Sequence, residues 1–201
     1  MLLSSLILVF QIIVNFVFAI FGAYYCGLNI GAARKNKIKP GISTALSYVS
    51  LGMSFFIMAY VIATVISYML FYLNYIPYAS FVFATSFSFL VFGLMIITFG
   101  LPLAINAVLV YKEHKNVSTA FGAFISVAFE VLNIYKYVQG FKDARSALKM
   151  SNEWGSKYGI EIIISAFLAA FVLIYVNYKR GINDALDGRL AQGKQNVQGG
   201  V

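Results

Sequence analysis

The chain has 201 residues, of which 61% are hydrophobic and only 11% are charged. A soluble domain carries about 25% charged residues, so this chain lacks the polar side chains needed to cover a surface in water. Its formal net charge of +8 comes from basic residues clustered beside apolar runs, not from one basic face, which argues against binding to nucleic acid. The composition excludes a soluble fold and predicts an all-α, polytopic integral membrane helix bundle whose solvent is the lipid bilayer.

Three uncharged apolar runs predict the first three transmembrane helices, over residues 3–31, 43–73 and 80–111. Each run is longer than the ~20 residues that cross a bilayer, so we expect the helices to tilt or to project beyond it. The first run has no preceding Lys or Arg and is too long for a signal peptide, so we expect it to be retained. Largely basic clusters at 34–39 and 112–115 predict that these loops are cytoplasmic and that the N-terminus is outside.

The run over residues 119–141 is apolar but contains Glu130 and Lys136, and one such residue near mid-membrane costs about 2.5–3.5 kcal/mol. Other polar residues of this run share one face of the helix with Glu130: Ser126, Asn133 and Tyr137. A narrow polar seam is typical of a helix inside a bundle, whereas a helix on the membrane surface has a broad charged face. We therefore predict five transmembrane helices, with four plus one interfacial amphipathic helix at 119–141 as the alternative.

The fifth predicted helix covers residues 159–178, and residues 181–201 are predicted to be a short polar C-terminal tail after a bundle formed by residues 1–180. With five helices the C-terminus is cytoplasmic and ten of the fifteen Lys and Arg residues lie inside; with four helices eleven do. Charge bias thus favours four helices by one residue, while the polar seam favours five. Because no targeting extension is recognisable, we expect a prokaryotic cytoplasmic membrane.

Glu130 is the main candidate functional residue, because a carboxyl group at membrane depth is usually kept where it is neutralised, paired or used. Residues on the first and fourth predicted helices make up the candidate polar seam: Glu130, Asn133, Ser126, Tyr137, Gln11 and Asn15. Gln11 and Asn15 lie one helical turn apart, so they share a face that could meet Glu130. Two interpretations stay open: the seam carries a proton or a cation, or it hydrogen-bonds a neighbouring helix or a partner subunit.

Glycine and proline mark two further features of the predicted helices. Gly100 and Pro102 are a candidate kink in the third helix, because proline removes a backbone donor and clashes with the carbonyl four residues earlier. Gly27 and Gly31 match the G-x-x-x-G pattern, which permits another helix to approach closely.

The sequence contains no recognisable catalytic constellation. The single cysteine, Cys26, and the single histidine, His114, exclude a paired-thiolate metal site and bis-histidine haem ligation, and no phosphate-binding glycine loop occurs. We expect a protein without catalytic residues, metal or cofactor, serving as an accessory or scaffold subunit of a larger membrane complex. Its expected partners are the bilayer and other membrane subunits or a second copy. The alternative is a small oligomeric channel or transporter with a proton or cation pathway through Glu130.

Overall fold

The computed structural model describes residues 2–39, 41–150 and 153–187. Within these ranges the chain forms five α-helices and no strand: α1 (Leu2–Lys35), α2 (Ile42–Tyr72), α3 (Tyr78–His114), α4 (Val117–Met150) and α5 (Glu153–Leu186). Each helix contains a stretch long and apolar enough to cross a membrane. The predicted all-α membrane bundle of five long helices is confirmed.

The segment 119–141, predicted as the fourth transmembrane helix with a surface helix as the alternative, is the middle of α4, which runs antiparallel along α3. Phe89 lies 2.7 Å from where a Cβ on Gly140 would be, and further along the two helices Gly100 faces Glu130. A helix lying flat on the headgroups could not make contacts so far apart along α3, so the four-helix alternative does not describe this structure.

The last two helices extend beyond their predicted ends. α4 continues through the polar stretch to Met150, and α5 continues to Leu186, although we predicted the span to end at residue 178. Its last turns therefore occupy the start of the predicted polar tail, and the part of that tail from residue 188 onward lies outside the described residues. Helical structure persists here because Gly181 and Ile182 are buried, which gives this polar segment a packing surface.

The hydrophobic core lies where α1, α2, α3 and α5 meet. Small and large buried side chains of the four helices form it together: Ala19, Ala23, Ile57, Met58, Ala59, Val61, Ala63, Phe92, Ile163, Ala166, Ala170 and Ile174. Alanine on three of the four helices, α1, α2 and α5, lets their backbones approach closely, which is the usual way helices associate in lipid.

Glycines allow α1 and α5 to cross with their backbones almost in contact. A Cβ on Gly27 would run into the carbonyl oxygen of Tyr178, and a Cβ on Gly181 would run into that of Tyr24. Gly31 continues the crossing one turn further along, where an added Cβ would lie 2.8 Å from a side-chain atom of α5. The G-x-x-x-G pattern therefore faces α5, inside the same chain.

Two polar contacts join α1 and α5 near the C-terminal end of α5. The hydroxyl of Tyr24 donates a hydrogen bond to the Asp184 carboxylate at 2.9 Å, and the Lys35 ammonium donates to the Leu186 carbonyl oxygen at 3.2 Å. The second contact satisfies a carbonyl at the C-terminus of α5, where a positive charge is also favoured by the helix dipole.

α4 is the least embedded helix. In the described chain no Cα of α4 comes within 8 Å of a Cα of α1, α2 or α5, and α3 is its one close neighbour. A gap therefore separates the backbones of α4 and α1, which are connected through the contacts of α1 with α2, of α2 with α3 and of α3 with α4. The polar residues of α1 and α4 face this gap.

Candidate functional site

A cavity of about 70 Å³ lies between α1 and α4, close to the middle of the bundle. Its polar lining comes mainly from these two helices: Gln11, Asn15, Asn133, Lys136 and Tyr137. Residues of α2 and α3 complete the lining: Ile57, Tyr60, Phe89, Gly93 and Ile96. One water occupies about 10–15 Å³ on this scale, so the central cavity can hold a few waters or a small ion.

Four residues of the predicted seam therefore line one cavity. Gln11 and Asn15 come from α1, and Asn133 and Tyr137 from α4, far away in the sequence. The Nδ2 atom of Asn133 is buried and has no hydrogen-bond acceptor among the described residues. Leaving an amide donor unpaired in an apolar interior costs about 1–3 kcal/mol, which is reason to look for a ligand or water there.

Tyr137 forms one wall of the central cavity and also ties α4 to α3. Its hydroxyl donates to the Leu90 carbonyl oxygen at 3.0 Å, and its ring stacks on Phe89 with centroids 5.5 Å apart. Gly93 makes room for this ring, since a Cβ there would lie 3.1 Å from it. Tyr137 is thus held rigidly, which fixes the width of the cavity on this side.

Glu130 lies beside the central cavity and does not line it. Its side chain is 3% exposed and points at α3, where the carboxyl group occupies the space that a Cβ on Gly100 would need. Neither carboxyl oxygen has a hydrogen-bond partner in the described part of the chain. An ionised carboxylate buried without a partner is costly, which sets Glu130 apart from the other buried residues of the described chain.

Ser126 lines a second hollow, on the other side of Phe129 from the central cavity. This hydroxyl pocket, of about 190 Å³, also contains Ser50 and Ser54 of α2. The structure therefore divides the predicted seam into three places. One group lines the central cavity, Glu130 lies in the interface with α3, and Ser126 lies in the hydroxyl pocket.

Gly100 and Pro102 lie within α3, which remains helical from Tyr78 to His114. Pro102 has no N–H to donate to the carbonyl of Thr98, four residues earlier. The Thr98 hydroxyl makes a separate bond, donating to the Leu94 carbonyl oxygen at 2.9 Å. The kink itself stays a prediction, but Gly100 has a second role that the sequence did not suggest, which is to accommodate the carboxyl group of Glu130.

Sequence reasoning missed the hydroxyl groups of α2 and the contribution of Tyr60 and Lys136 to the cavity. Four serines of α2 lie on one face, at spacings of four, three and four residues: Ser43, Ser47, Ser50 and Ser54. That spacing is visible in the sequence and would have identified a polar face on the second helix.

Among the described residues, no group of three His, Cys, Asp or Glu side chains is placed to hold a metal ion. No known protein family, characterised protein or solved structure matches this chain. The fold and the site together define a polytopic α-helical membrane protein with a polar cavity inside its helix bundle.

Proposed function

We propose that this protein is a small membrane transporter or channel that passes protons or small inorganic ions through the central cavity. The observation that carries the proposal is the convergence of Gln11, Asn15, Asn133 and Lys136, from two helices distant in sequence, on one cavity near mid-bundle. Polar cavities near the bilayer midplane are where membrane transporters bind their substrates.

Polar side chains buried in a membrane bundle cost free energy, which supports a function for the polar groups that line the central cavity. A bundle stabilised by packing alone would be expected to fill this space with apolar side chains, as it does where α1, α2 and α5 meet. Glu130 is the one acidic or basic side chain among the buried residues of the described chain, and it lies one helical turn from Asn133. Buried acids next to water-filled cavities are the groups that carry protons in membrane pumps and transporters.

Flux through reconstituted vesicles tests this proposal. Liposomes with a trapped pH-sensitive dye report proton flux after a pH step, and vesicles loaded with potassium chloride report ion flux. We expect flux above that of empty liposomes, and we expect Asn133→Leu to lower it at least about tenfold, because the substitution keeps the volume and removes the polar atoms.

The matched control is Asn177→Leu on α5. This amide donates to the Leu173 carbonyl of its own helix at 2.8 Å and does not line the central cavity. It should leave flux unchanged. The proposal is contradicted if the protein gives no more proton or ion flux than empty liposomes. It is also contradicted if Asn133→Leu and Asn177→Leu lower flux equally. Glu130→Gln separates the two kinds of substrate, since it should reduce proton flux and spare ion flux.

A second candidate function, a subunit of a larger membrane complex, is favoured by the exposed position of α4. The backbone of this helix approaches α3 alone, and its exposed outer face offers a surface for a helix of another chain or a second copy. A photo-cross-linking residue placed at Val131 or Val138, both exposed on α4, should then capture one defined neighbour in native membranes. The same residue at Leu168, exposed on α5, is the control, and equal capture at both helices would argue for random encounters.

A further inference from the structure

Three hollows follow one another from the middle of the bundle to one of its ends. The central cavity and the hydroxyl pocket share Ile57 and Phe129, and the hydroxyl pocket shares Ser50 with a groove of about 460 Å³. This end groove lies between the start of α2 and the end of α3, and it contains Ser43, Ser47 and Asn106. The hydroxyl pocket and the end groove are neighbours along α2, which places a serine at each turn beside them, and the two hollows together are called the passage below.

The order of these hollows is the same on each helix that lines them. Along α1, the cavity residue Asn15 is followed by Phe18 and then by Gly22 of the hydroxyl pocket. Along α4, which runs the other way, Asn133 of the cavity comes one turn after Phe129, and Ser126 comes one turn before it. Phe18 and Phe129 therefore lie at the level where the central cavity ends and the passage begins.

These two rings bridge α1 and α4, whose backbones otherwise stay apart. The ring centroids of Phe18 and Phe129 are 6.2 Å apart and their planes are inclined by 35°. No Cα pair within 8 Å joins the two helices over the part of the chain that the structure describes. Phe18 keeps 56% of its surface exposed, so few neighbours hold its ring in place.

An apolar constriction between two hollows blocks water and ions until it widens, because water leaves a narrow apolar gap. We propose that Phe18 and Phe129 form a gate between the central cavity and the passage to the end of the bundle that carries the 36–41 loop. The proposal rests on the proposed transport function and specifies where the pathway opens and closes.

The passage leads to a strongly basic surface. Six Lys and Arg residues and one Glu surround this end of α1, α2 and α3: Arg34, Lys35, Lys37, Lys39, Lys112, Lys115 and Glu113. This positive potential concentrates small anions at the mouth and repels cations.

Alanine substitution of both rings tests the gate. Phe18→Ala with Phe129→Ala should raise flux in liposomes at least about tenfold, equivalent to lowering the barrier by about 1.4 kcal/mol. The matched control is Phe21→Ala with Phe124→Ala, on the same two helices, where the rings are 53% and 71% exposed. The control should leave flux unchanged, and equal effects of the two pairs would overturn the gate. If the alanine pair folds poorly, Phe18→Leu with Phe129→Leu keeps the helix faces apolar and should give a smaller increase.

Cysteine labelling tests the gate independently of flux. In a Cys26→Ala background, a membrane-impermeant thiol reagent added at the 36–41 loop side should modify Ser50→Cys, in the passage, and leave Asn15→Cys, in the cavity, unmodified. The alanine pair should make Asn15→Cys reactive from that side, and the control pair should not. Rapid labelling of Asn15→Cys from the loop side with both rings present would overturn the proposal.

The two readouts distinguish failure of the gate from failure of the proposed function. If removal of the two rings makes Asn15→Cys reactive but no variant shows flux, the transport function is rejected and the rings close a passage for water only. If flux depends on Asn133 but labelling of Asn15→Cys is the same with and without the two rings, the transport function is supported and the gate is rejected.

Discussion

Gly100 and Glu130 offer a quantitative test of the interface between α3 and α4. A methyl group added at Gly100 would lie 2.8 Å from Cδ and 3.2 Å from Oε1 of Glu130, and closer still to Oε2. Overpacking of this kind costs about 1–3 kcal/mol. We expect the lower end of that range, because the carboxyl group is the far end of a flexible side chain. Replacing glycine by alanine inside a helix returns about 1 kcal/mol, so Gly100→Ala alone should be close to neutral.

The coupling between the two positions appears when Glu130 is shortened. In a Glu130→Ala background the methyl group at position 100 enters vacated space, so only the gain in helix propensity remains, about 1 kcal/mol. The double-mutant cycle should therefore give a coupling free energy of about 1 kcal/mol or more between the two positions. Gly122→Ala is the control on α4, because a Cβ there meets nothing within 4 Å. It should stabilise both backgrounds equally.

Titration with SDS in mixed micelles gives the free energy of unfolding, with the fluorescence of the single tryptophan, Trp154, as the signal. The refuting result is additivity. If Gly100→Ala has the same effect in both backgrounds within about 0.5 kcal/mol, Glu130 does not occupy the space beside Gly100.

Three further substitutions test other contacts, with the same SDS titration for the first and third. Gly27→Ala should cost more than Gly100→Ala, about 3 kcal/mol, because the obstructing atoms are backbone atoms of α5 that cannot rotate away; a neutral effect would contradict the close crossing. Tyr24→Phe removes the hydrogen bond to Asp184 and should increase amide hydrogen exchange in the last turns of α5, whereas unchanged exchange would show that the bond does not hold that end. Tyr137→Phe keeps the ring and loses the bond to Leu90, so it should cost about 0.6–1.7 kcal/mol, and no loss would mean that the hydroxyl finds another acceptor.

Some of the candidate site could be predicted from the sequence because it depends on helical spacing. Gln11 and Asn15 share a face because they are four residues apart, and Asn133 and Tyr137 do so for the same reason. The spacing could not show that Glu130 turns away from that cavity towards α3. Gly100 decides that orientation, since the absence of a side chain on α3 is what leaves space for the carboxyl group.

The aromatic residues show a similar division. The sequence has 19 phenylalanines, and a periodic pattern cannot distinguish one that faces lipid from one that closes a passage. Phe18 and Phe21 have the same kind of side chain on the same helix and differ in their neighbours. The ring of Phe18 lies next to Phe129 of α4, whereas the ring of Phe21 stacks on Tyr25 of its own helix.

The sequence by itself determined the number of helices and their approximate positions. In lipid each spanning segment must satisfy its own backbone hydrogen bonds, so long apolar runs become helices whatever their neighbours are. Only the tertiary structure decided which faces meet, because nearly every side chain on these helices is apolar and the pattern hardly distinguishes one face from another. The pairing of α1 with α5, the gap between α1 and α4 and the space beside Gly100 depend on close fit between backbones far apart in sequence, and that fit decides where polar groups meet.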